Sequence, residues 1–133
     1  MRGRGRVVRV VLRSAGGVDG GPVGDFLLLV GVLERLVGLL GTRRGEPGAR
    51  PVMLCRCPSV HTVGMAYPLD VALVGAEGLV VGSWRALPPG RVVRAAGARL
   101  ALERPAGEGS WPAVGERLVV FGCSWRDLSD GSV

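Results

Sequence analysis

Short apolar runs separated by Gly and Pro fill most of the chain. Residues 7–12, "VVRVVL", have the β-branched composition of a strand, and the apolar runs after residue 51 are brief and regularly interrupted. The further strands that this pattern predicts are "PVMLC", "SVHTV", "LDVALV" (69–74), "GLVVGSW" (78–84), "RVVRAA", "ARLALER" and "ERLVVF" (116–121). Gly75–Ala76–Glu77 has the length of a hairpin turn. The predicted fold class is therefore mainly β, as a small jelly-roll-like sandwich or barrel.

One stretch has the period of a helix instead. It begins at Asp25, a residue type that caps helices, and ends before Gly41, a residue type that terminates them. Between the two, apolar residues recur at intervals of three and four, at Phe26, Leu29, Val30, Leu33, Leu36, Val37 and Leu40. The pattern predicts one α-helix over about 25–40 that packs on the sheet.

The 133 residues are expected to form one domain with two flanking segments. Residues 1–24 are predicted as an N-terminal strand followed by a Gly-rich loop over 14–24. Residues 25–121 are predicted as the β domain with its leading helix. The last dozen residues, 122–133, are polar and are expected to form a flexible tail.

Charge and composition narrow the classes of partner. The net charge is +6, but all seventeen basic residues are Arg, and Lys, Ile, Asn and Gln are absent. That usage is typical of a GC-rich genome, so part of the Arg excess reflects codon usage rather than anion binding. Arg residues are not interleaved with aromatic residues and no reading module is recognisable, so no nucleic-acid partner is predicted.

The apolar runs and the cysteines of the sequence indicate where the protein is located. The longest apolar run, "FLLLVGVLERLVGLLG", is short for a bilayer and contains Glu34 and Arg35, so no membrane association is predicted. The three cysteines are an odd number, which does not suit a disulfide framework. Reduced thiols predict a cytoplasmic protein.

The segment "CPSVHTVGMAYPLD", residues 57–70, holds the single His and the single Tyr of the chain. Gly64 permits a turn within it that would return Asp70 toward His61. The two side chains would then form an acid–base pair, with Tyr67 orienting a substrate. The alternative is structural: Asp70 accepts backbone N–H groups from the turn, and His61 satisfies a buried carbonyl.

Two other sites are conceivable in this segment. If residues 55–61 are extended, Cys55, Cys57, Ser59 and His61 share one face and could bind a metal together with Asp70 or Cys123. Their spacing matches no zinc pattern, so neither a metal nor another cofactor is predicted. A Cys57–His61 nucleophile–base pair would span roughly 13 Å along a flat strand, which disfavours it.

Several other side chains are candidates for ligand contacts. Trp84, Trp111 and Tyr67 are aromatic residues of the kind that line pockets, and arginines around "LPPG" (87–90) are suited to a carboxylate or phosphate. Glu103, at the end of its predicted strand, is a candidate ion-pair partner for those arginines. The predicted ligand-binding set is Ser59, Met65, Trp84, Arg85, Arg91 and Arg94.

Four stretches, "ERLVGLLGT", "CPSVHTVGMAYPLDVALVGAEGLVV", "ALPPGRVVRAAGARLALERPAG" and "VGERLVVF", carry a resemblance to a known family. In this order, over about residues 25–121, they resemble the domain of unknown function 192 family of bacteria and archaea. The resemblance implies a mainly β jelly-roll-like or barrel core and supplies no reaction. Ala66 stands where the family usually has Arg, so an anion site built on that Arg would be impaired in this chain.

Three functions remain open from the sequence. The first is a non-catalytic domain that binds a small ligand or a partner. The second is a biosynthetic enzyme of the cyclase or isomerase type that uses His61 and Asp70 for acid–base chemistry. The third is an assembly protein that uses Arg-rich strands. A concave apolar pocket that both His61 and Asp70 face would favour the enzyme. The sequence gives no oligomeric state.

Overall fold

The structure, a computed structural model, describes residues 5–13, 19–31 and 38–133. Within these ranges it contains nine strands, a short 3-10 turn at Ala76–Gly78 and one α-helix, α1, at Trp125–Asp130. The strands are β1 (Val7–Arg13), β2 (Asp19–Leu29), β3 (Val52–Leu54), β4 (Ser59–His61), β5 (Leu69–Val74), β6 (Val80–Leu87), β7 (Val92–Arg94), β8 (Leu100–Pro105) and β9 (Leu118–Val120).

Seven of these strands form one curled, half-barrel sheet in the order β6-β5-β8-β3-β2-β1-β9. All neighbours are antiparallel except β2 and β3, which are parallel. β4 and β7 pair separately as a two-stranded sheet. The prediction of a mainly β, barrel-like fold with one helix is therefore confirmed, and the helix of the described residues is α1, near the end of the chain.

The large sheet is buried on both faces, and each face has its own hydrophobic core. Neighbouring residues of a strand point to opposite faces, so each central strand contributes to both cores. The first core contains Val10, Phe26, Leu28, Met53, Ala72, Leu100, Leu102, Leu118 and Leu128. The second core contains Leu27, Leu29, Leu39, Val52, Leu54, Val60, Tyr67, Val71 and Leu73.

The predicted helix over 25–40 is wrong at its start, because residues 25–29 belong to β2. Phe26 and Leu28 enter the first core, whereas Leu27 and Leu29 enter the second. A strand buried on both faces reads as a continuous apolar run, and such a run also satisfies helical spacing. Residues 38–41 form a turn, and residues 32–37 of the predicted helix lie outside the described residues.

The two flanking segments also differ from expectation. β2 begins at Asp19, inside the stretch predicted as a Gly-rich loop, and residues 14–18 lie outside the described residues. The predicted flexible tail contains α1, whose first turn is capped by Ser124, the side chain of which accepts the N–H of Asp127. Leu128 anchors the helix in the first core, where its side chain is fully buried.

α1 has six residues, far fewer than a bilayer-spanning helix needs, and the described ranges contain no other helix long and apolar enough to cross a membrane.

Candidate functional site

A sharp turn at Arg56 separates β3 from β4. The φ of Arg56 is 52°, in the left-handed region, so residues 55–61 are not one extended segment. Cys55 is therefore buried in the first core, whereas Cys57 packs beside the second. The expected shared face of Cys55, Cys57, Ser59 and His61 is wrong for this reason. In the described ranges, no group of three or more His, Cys, Asp or Glu side chains is placed to hold a metal ion.

A cavity of about 270 Å³ lies beside this turn, between β4, the ends of β3 and β8, and the segment 38–40. A cavity of roughly 150 Å³ holds a benzene molecule, so this one has room for a small ligand on the order of ten non-hydrogen atoms. Its walls are mostly apolar. The lining residues are Gly38, Leu39, Leu40, Leu54, Arg56, Cys57, Pro58, Ser59, Val60, His61, Val63, Met65 and Glu103.

Glu103 supplies a buried carboxyl group to the cavity wall. It lies on β8 in register with Val52 on one side and Val71 on the other, so its side chain shares the face of the second core. The residue is only 4% exposed, and its side chain accepts no hydrogen bond from the described residues. Burial raises the pKa of Glu103 to about 7.

The Glu103 carboxyl group keeps access to the cavity. In the described part of the chain, every buried side-chain oxygen or nitrogen that is sealed from solvent has a hydrogen-bond partner. Glu103 has none, so its oxygens are not sealed, and the cavity that the residue lines is the space they reach. An unpartnered carboxyl group thus faces a small, mostly apolar space.

The hydroxyl group of Tyr67, whose pKa the charge of Glu103 affects, is hydrogen-bonded to Thr42. Thr42 Oγ1 donates to the carbonyl of Leu39 at 2.6 Å, so the 2.6 Å contact between Thr42 and Tyr67 has the Tyr67 hydroxyl as donor. Burial raises the pKa of Tyr67, the bond to Thr42 partly offsets this, and the negative charge of Glu103 adds to the rise. Tyr67 lies behind the cavity wall rather than on it, so the contacts give no support to its predicted role in orienting a substrate.

Three of the predicted site residues line the cavity: His61 from the catalytic set, and Ser59 and Met65 from the ligand-binding set. His61 is exposed at the end of β4 and pairs with Val92 through the backbone. Its ring makes no hydrogen bond to any described residue. Ser59, from the other end of β4, and Met65, which follows the turn at Gly64 (φ 83°), complete this part of the lining.

Asp70 lies on the other face of the sheet. Its carboxylate accepts hydrogen bonds from Nε of Arg104 at 2.9 Å, from the N–H of Ala86 at 2.9 Å, from the N–H of Gly107 at 3.3 Å and from Nε of Arg85 at 3.4 Å. Burial alone would raise the pKa of Asp70, but these bonds outweigh it and lower the pKa below its usual range.

The structure therefore does not bring His61 and Asp70 together. The predicted acid–base pair is wrong because Asp70 shares the face of Arg104, its register partner, whereas the cavity lies on the face of Glu103. The structural alternative describes Asp70 better. However, its backbone donors come from Ala86 and Gly107 rather than from the turn that begins at His61.

The other predicted ligand residues lie away from the cavity. Arg85 completes the Asp70 cluster and donates to the carbonyl of Gly107 at 2.6 Å. Trp84 packs against the second core, and Arg91 and Arg94 are exposed on or beside β7. Trp111 lies on the first-core side, where Arg104 stacks 4.6 Å from its ring centre.

The predicted ion pair between Glu103 and the arginines around "LPPG" is not found in the described residues. Arg85 pairs with Asp70 on the opposite face, as does Arg104, the residue after Glu103. The available signal for Glu103 was its position in "LALERP", where alternation with Ala101 places an acidic side chain on a buried face. A carboxyl group in such a position is either paired or functional.

Comparisons with known proteins show the fold and go no further. No protein-family model matches the chain, and no curated protein matches it in sequence. A protein of unknown function from Novosphingobium aromaticivorans DSM 12444 has a similar solved structure, with a TM-score of 0.62, 23% identity and coverage of 85% of this chain and 84% of that one. A proposed transcription regulator from Sinorhizobium meliloti 1021 is also similar, with a TM-score of 0.59, 23% identity and coverage of 90% and 97%.

Proposed function

We propose that this protein is a small-ligand-binding β domain whose ligand occupies the cavity beside β4. The observation that carries the proposal is Glu103, a 4%-exposed carboxyl group without a hydrogen-bond partner in the described residues, on the wall of a mostly apolar cavity. A buried polar group is costly unless something satisfies it. A ligand that fills the apolar space and reaches Glu103 satisfies it.

The ligand is expected to be small and largely apolar. Leu39, Leu54 and Met65 offer aliphatic contact, and few polar groups converge on the space, as is usual for small-molecule sites. His61 and Ser59 add polar groups, with His61 at the exposed end of its strand. Benzyl alcohol, an aromatic ring with one short polar arm, is a suitable first probe.

Two methionines make the test internally controlled. Met65 lines the cavity, whereas Met53 is buried in the first core on the opposite face of the sheet. With ¹³C-methyl methionine, titration with benzyl alcohol should shift the Met65 methyl resonance in a saturable manner and leave that of Met53 unchanged. Equal shifts at both residues, or none at Met65, would contradict the proposal.

A matched pair of variants locates the binding. Ser59 lines the cavity and Arg94 does not, yet the two residues are paired across β4 and β7 and both are exposed. Ser59→Phe should block the Met65 response to benzyl alcohol, whereas Arg94→Phe should leave it intact. Loss of the response in both variants would indicate a general disturbance of the small sheet rather than occupation of the cavity.

One observation favours an enzyme as a second candidate. A carboxyl group with a pKa of about 7 in an apolar cavity is suited to proton transfer near neutral pH. The acid–base hypothesis thereby moves from the His61–Asp70 pair to Glu103. The carbon acid 5-nitrobenzisoxazole, which opens when a base removes its proton, tests this directly. Turnover should rise with pH around 7 and vanish in Glu103→Gln. Equal turnover in both proteins would remove the enzyme candidate.

The family, the cellular compartment and the absence of a nucleic-acid partner are further proposals. We propose membership of the domain of unknown function 192 family on the order of the four motifs, to which the mainly β fold adds. We also propose a cytoplasmic protein without a nucleic-acid partner. The odd number of cysteines, which does not suit a disulfide framework, supports a reducing compartment. The Sinorhizobium neighbour is described as a proposed transcription regulator, which would suggest a role in gene regulation. However, α1 is the one helix in the described ranges, and its six residues are few for a helix that binds in a DNA groove.

A further inference from the structure

We propose that the ligand of this cavity is a cation, a small apolar molecule with a protonated amine, which forms an ion pair with Glu103. This inference rests on the proposed binding function and names the class of ligand. The cavity has two properties that suit a small apolar cation: an acidic group that forms no hydrogen bond or ion pair with the described residues, and walls that are mostly apolar.

The first step of the argument is the supply of donors around Glu103. Its cross-strand neighbours on the same face are Val52 and Val71, which carry no polar side-chain atoms. The Tyr67 hydroxyl donates to Thr42, and the Thr42 hydroxyl donates to Leu39, so neither proton is left for the carboxyl group. The donor that Glu103 lacks must therefore come from the cavity.

The second step is that the arginine side chains closest to Glu103 in sequence or in the fold do not pair with it. Arg104 follows Glu103 directly but projects from the other face, where it binds Asp70 and stacks on Trp111. Arg85 joins the same cluster. Arg56 lines the cavity, but its stem lies beside the end of α1, where a Cβ placed on Gly131 would be 3.8 Å from its Cδ, and it forms no ion pair with Glu103. Asp70 is thus paired with two arginines, whereas Glu103 forms no ion pair with an arginine of the described residues.

The third step is why a cation is preferred to a neutral donor. A charge-assisted hydrogen bond is about twice as strong as a neutral one, and the low dielectric of an apolar cavity strengthens it further. A cation also relieves the burial that disfavours ionisation of Glu103, which a neutral ligand does not. Binding of an ammonium group below pH 7 should therefore release a proton from Glu103.

The test compares benzylammonium with benzyl alcohol, which have nearly the same shape. At pH 8, where Glu103 is ionised, benzylammonium should bind at least about tenfold more tightly, read from the Met65 methyl shift. Glu103→Gln should keep the binding of benzyl alcohol and abolish the preference for the amine. Glu108→Gln, at an exposed position on the loop after β8, is the matched control and should change neither affinity.

The pH dependence of binding provides a second readout. Benzylammonium keeps its charge from pH 5.5 to pH 8, and His61 and Arg56 share the cavity wall with Glu103, so the series is run on wild type and on His61→Ala, and a change in preference that persists without the imidazole reports Glu103. The affinity for benzylammonium should rise about thirtyfold over that range as the ionised fraction of Glu103 grows. The affinity for benzyl alcohol should change far less.

The outcomes separate this inference from the proposed function. If benzyl alcohol binds and benzylammonium binds no more tightly, or benzoate binds best, the cation inference is wrong and the binding function stands. If none of the three probes shifts Met65, the binding function itself fails. If benzylammonium is preferred in both wild type and Glu103→Gln, the cation is recognised elsewhere and Glu103 is not its partner.

Discussion

Asp70 and Glu103 lie on neighbouring paired strands and point to opposite faces of the same sheet. Asp70 is in register with Arg104, the residue that follows Glu103, so one step along β8 separates the two environments. On one face a carboxylate accepts four hydrogen bonds, and on the other a carboxyl group accepts none from the described residues. Asp70 therefore stabilises the fold, whereas the carboxyl group of Glu103 is available to a ligand.

Asp70→Asn should be strongly destabilising. The substitution removes the charge that pairs with Arg104, whose side chain is only 14% exposed, and loss of one partner of a buried pair typically costs about 3–5 kcal/mol. Urea denaturation monitored by tryptophan fluorescence would measure the loss. Asp25→Asn is the matched control, because Asp25 and Arg9 form an exposed pair that solvent screens, so its loss should be far smaller than that of Asp70. Equal losses in the two variants would contradict the structural role of Asp70.

Stability should fall as pH rises from about 4.5 to about 7. Glu103 binds its proton more tightly in the folded state, with a pKa near 7 against an ordinary value of 4.5, so the folded protein holds more protons in this window. Below it both states are neutral, and above it both are ionised, with a loss of about 3 kcal/mol at the upper end.

Denaturation midpoints at pH 5 and pH 8 measure this effect. In Glu103→Leu the loss should disappear, and the variant should be more stable than wild type at pH 8. Glu108→Gln, at an exposed position, should retain the wild-type pH dependence. If Glu103→Leu shows the same pH profile as the wild-type protein, another group is responsible.

The sequence predicted the strands well and the contacts poorly. Alternating or continuous apolar runs identified each strand from β3 to β9, because burial on a sheet face leaves a direct mark in composition. It could not distinguish a strand buried on both faces from a helix at Phe26–Leu29, because "FLLL" satisfies both periods. The sequence pattern does not reveal α1, because its six residues include only one that is fully buried, Leu128.

The candidate site was predicted in part. The sequence singles out the segment 57–70, and Ser59, His61 and Met65 of that segment line the cavity. The error concerned the acidic residue, since proximity along the chain favoured Asp70 over Glu103. Alternation in "LALERP" marks Glu103 as a residue on a buried face, but no local pattern shows that Asp70 pairs with Arg104, which lies 34 positions later.

Gly78→Ala should destabilise the protein more than Gly97→Ala. Both glycines have a positive φ, of 79° and 82°, so both substitutions carry backbone strain of about 1–2 kcal/mol. A Cβ on Gly78 would also lie 2.5 Å from Nε1 of Trp125 and still closer to the carbonyl of Leu118, whereas a Cβ on Gly97 meets nothing within 4 Å. Thermal unfolding of the two variants would measure the difference. Equal shifts would mean that Trp125 moves without cost.

Leu128→Ala should show that residues 122–133 belong to the folded domain. Leu128 is fully buried in the first core, and truncation of such a side chain costs about 2–5 kcal/mol. Val114→Ala is a suitable control, because Val114 is 62% exposed and its loss should be within about 0.5 kcal/mol of wild type. A Leu128→Ala variant as stable as wild type would show that α1 contributes little to the core.

The position of β1 between β2 and β9 has a consequence for the order of folding. Val10 pairs with Val120, so one edge of β1 has no partner until β9 has been synthesised, more than a hundred residues later. At about 5–20 residues per second, the ribosome adds β9 roughly 5–20 s after β1. During that interval β1 is an unpaired edge of "VVRVVLR", and Arg9 and Arg13 interrupt its apolar run as charged edge residues do in strands that avoid aggregation. The pairing of β1 with β9 is therefore expected to be a late step of folding, with the slow rate that long-range contacts impose.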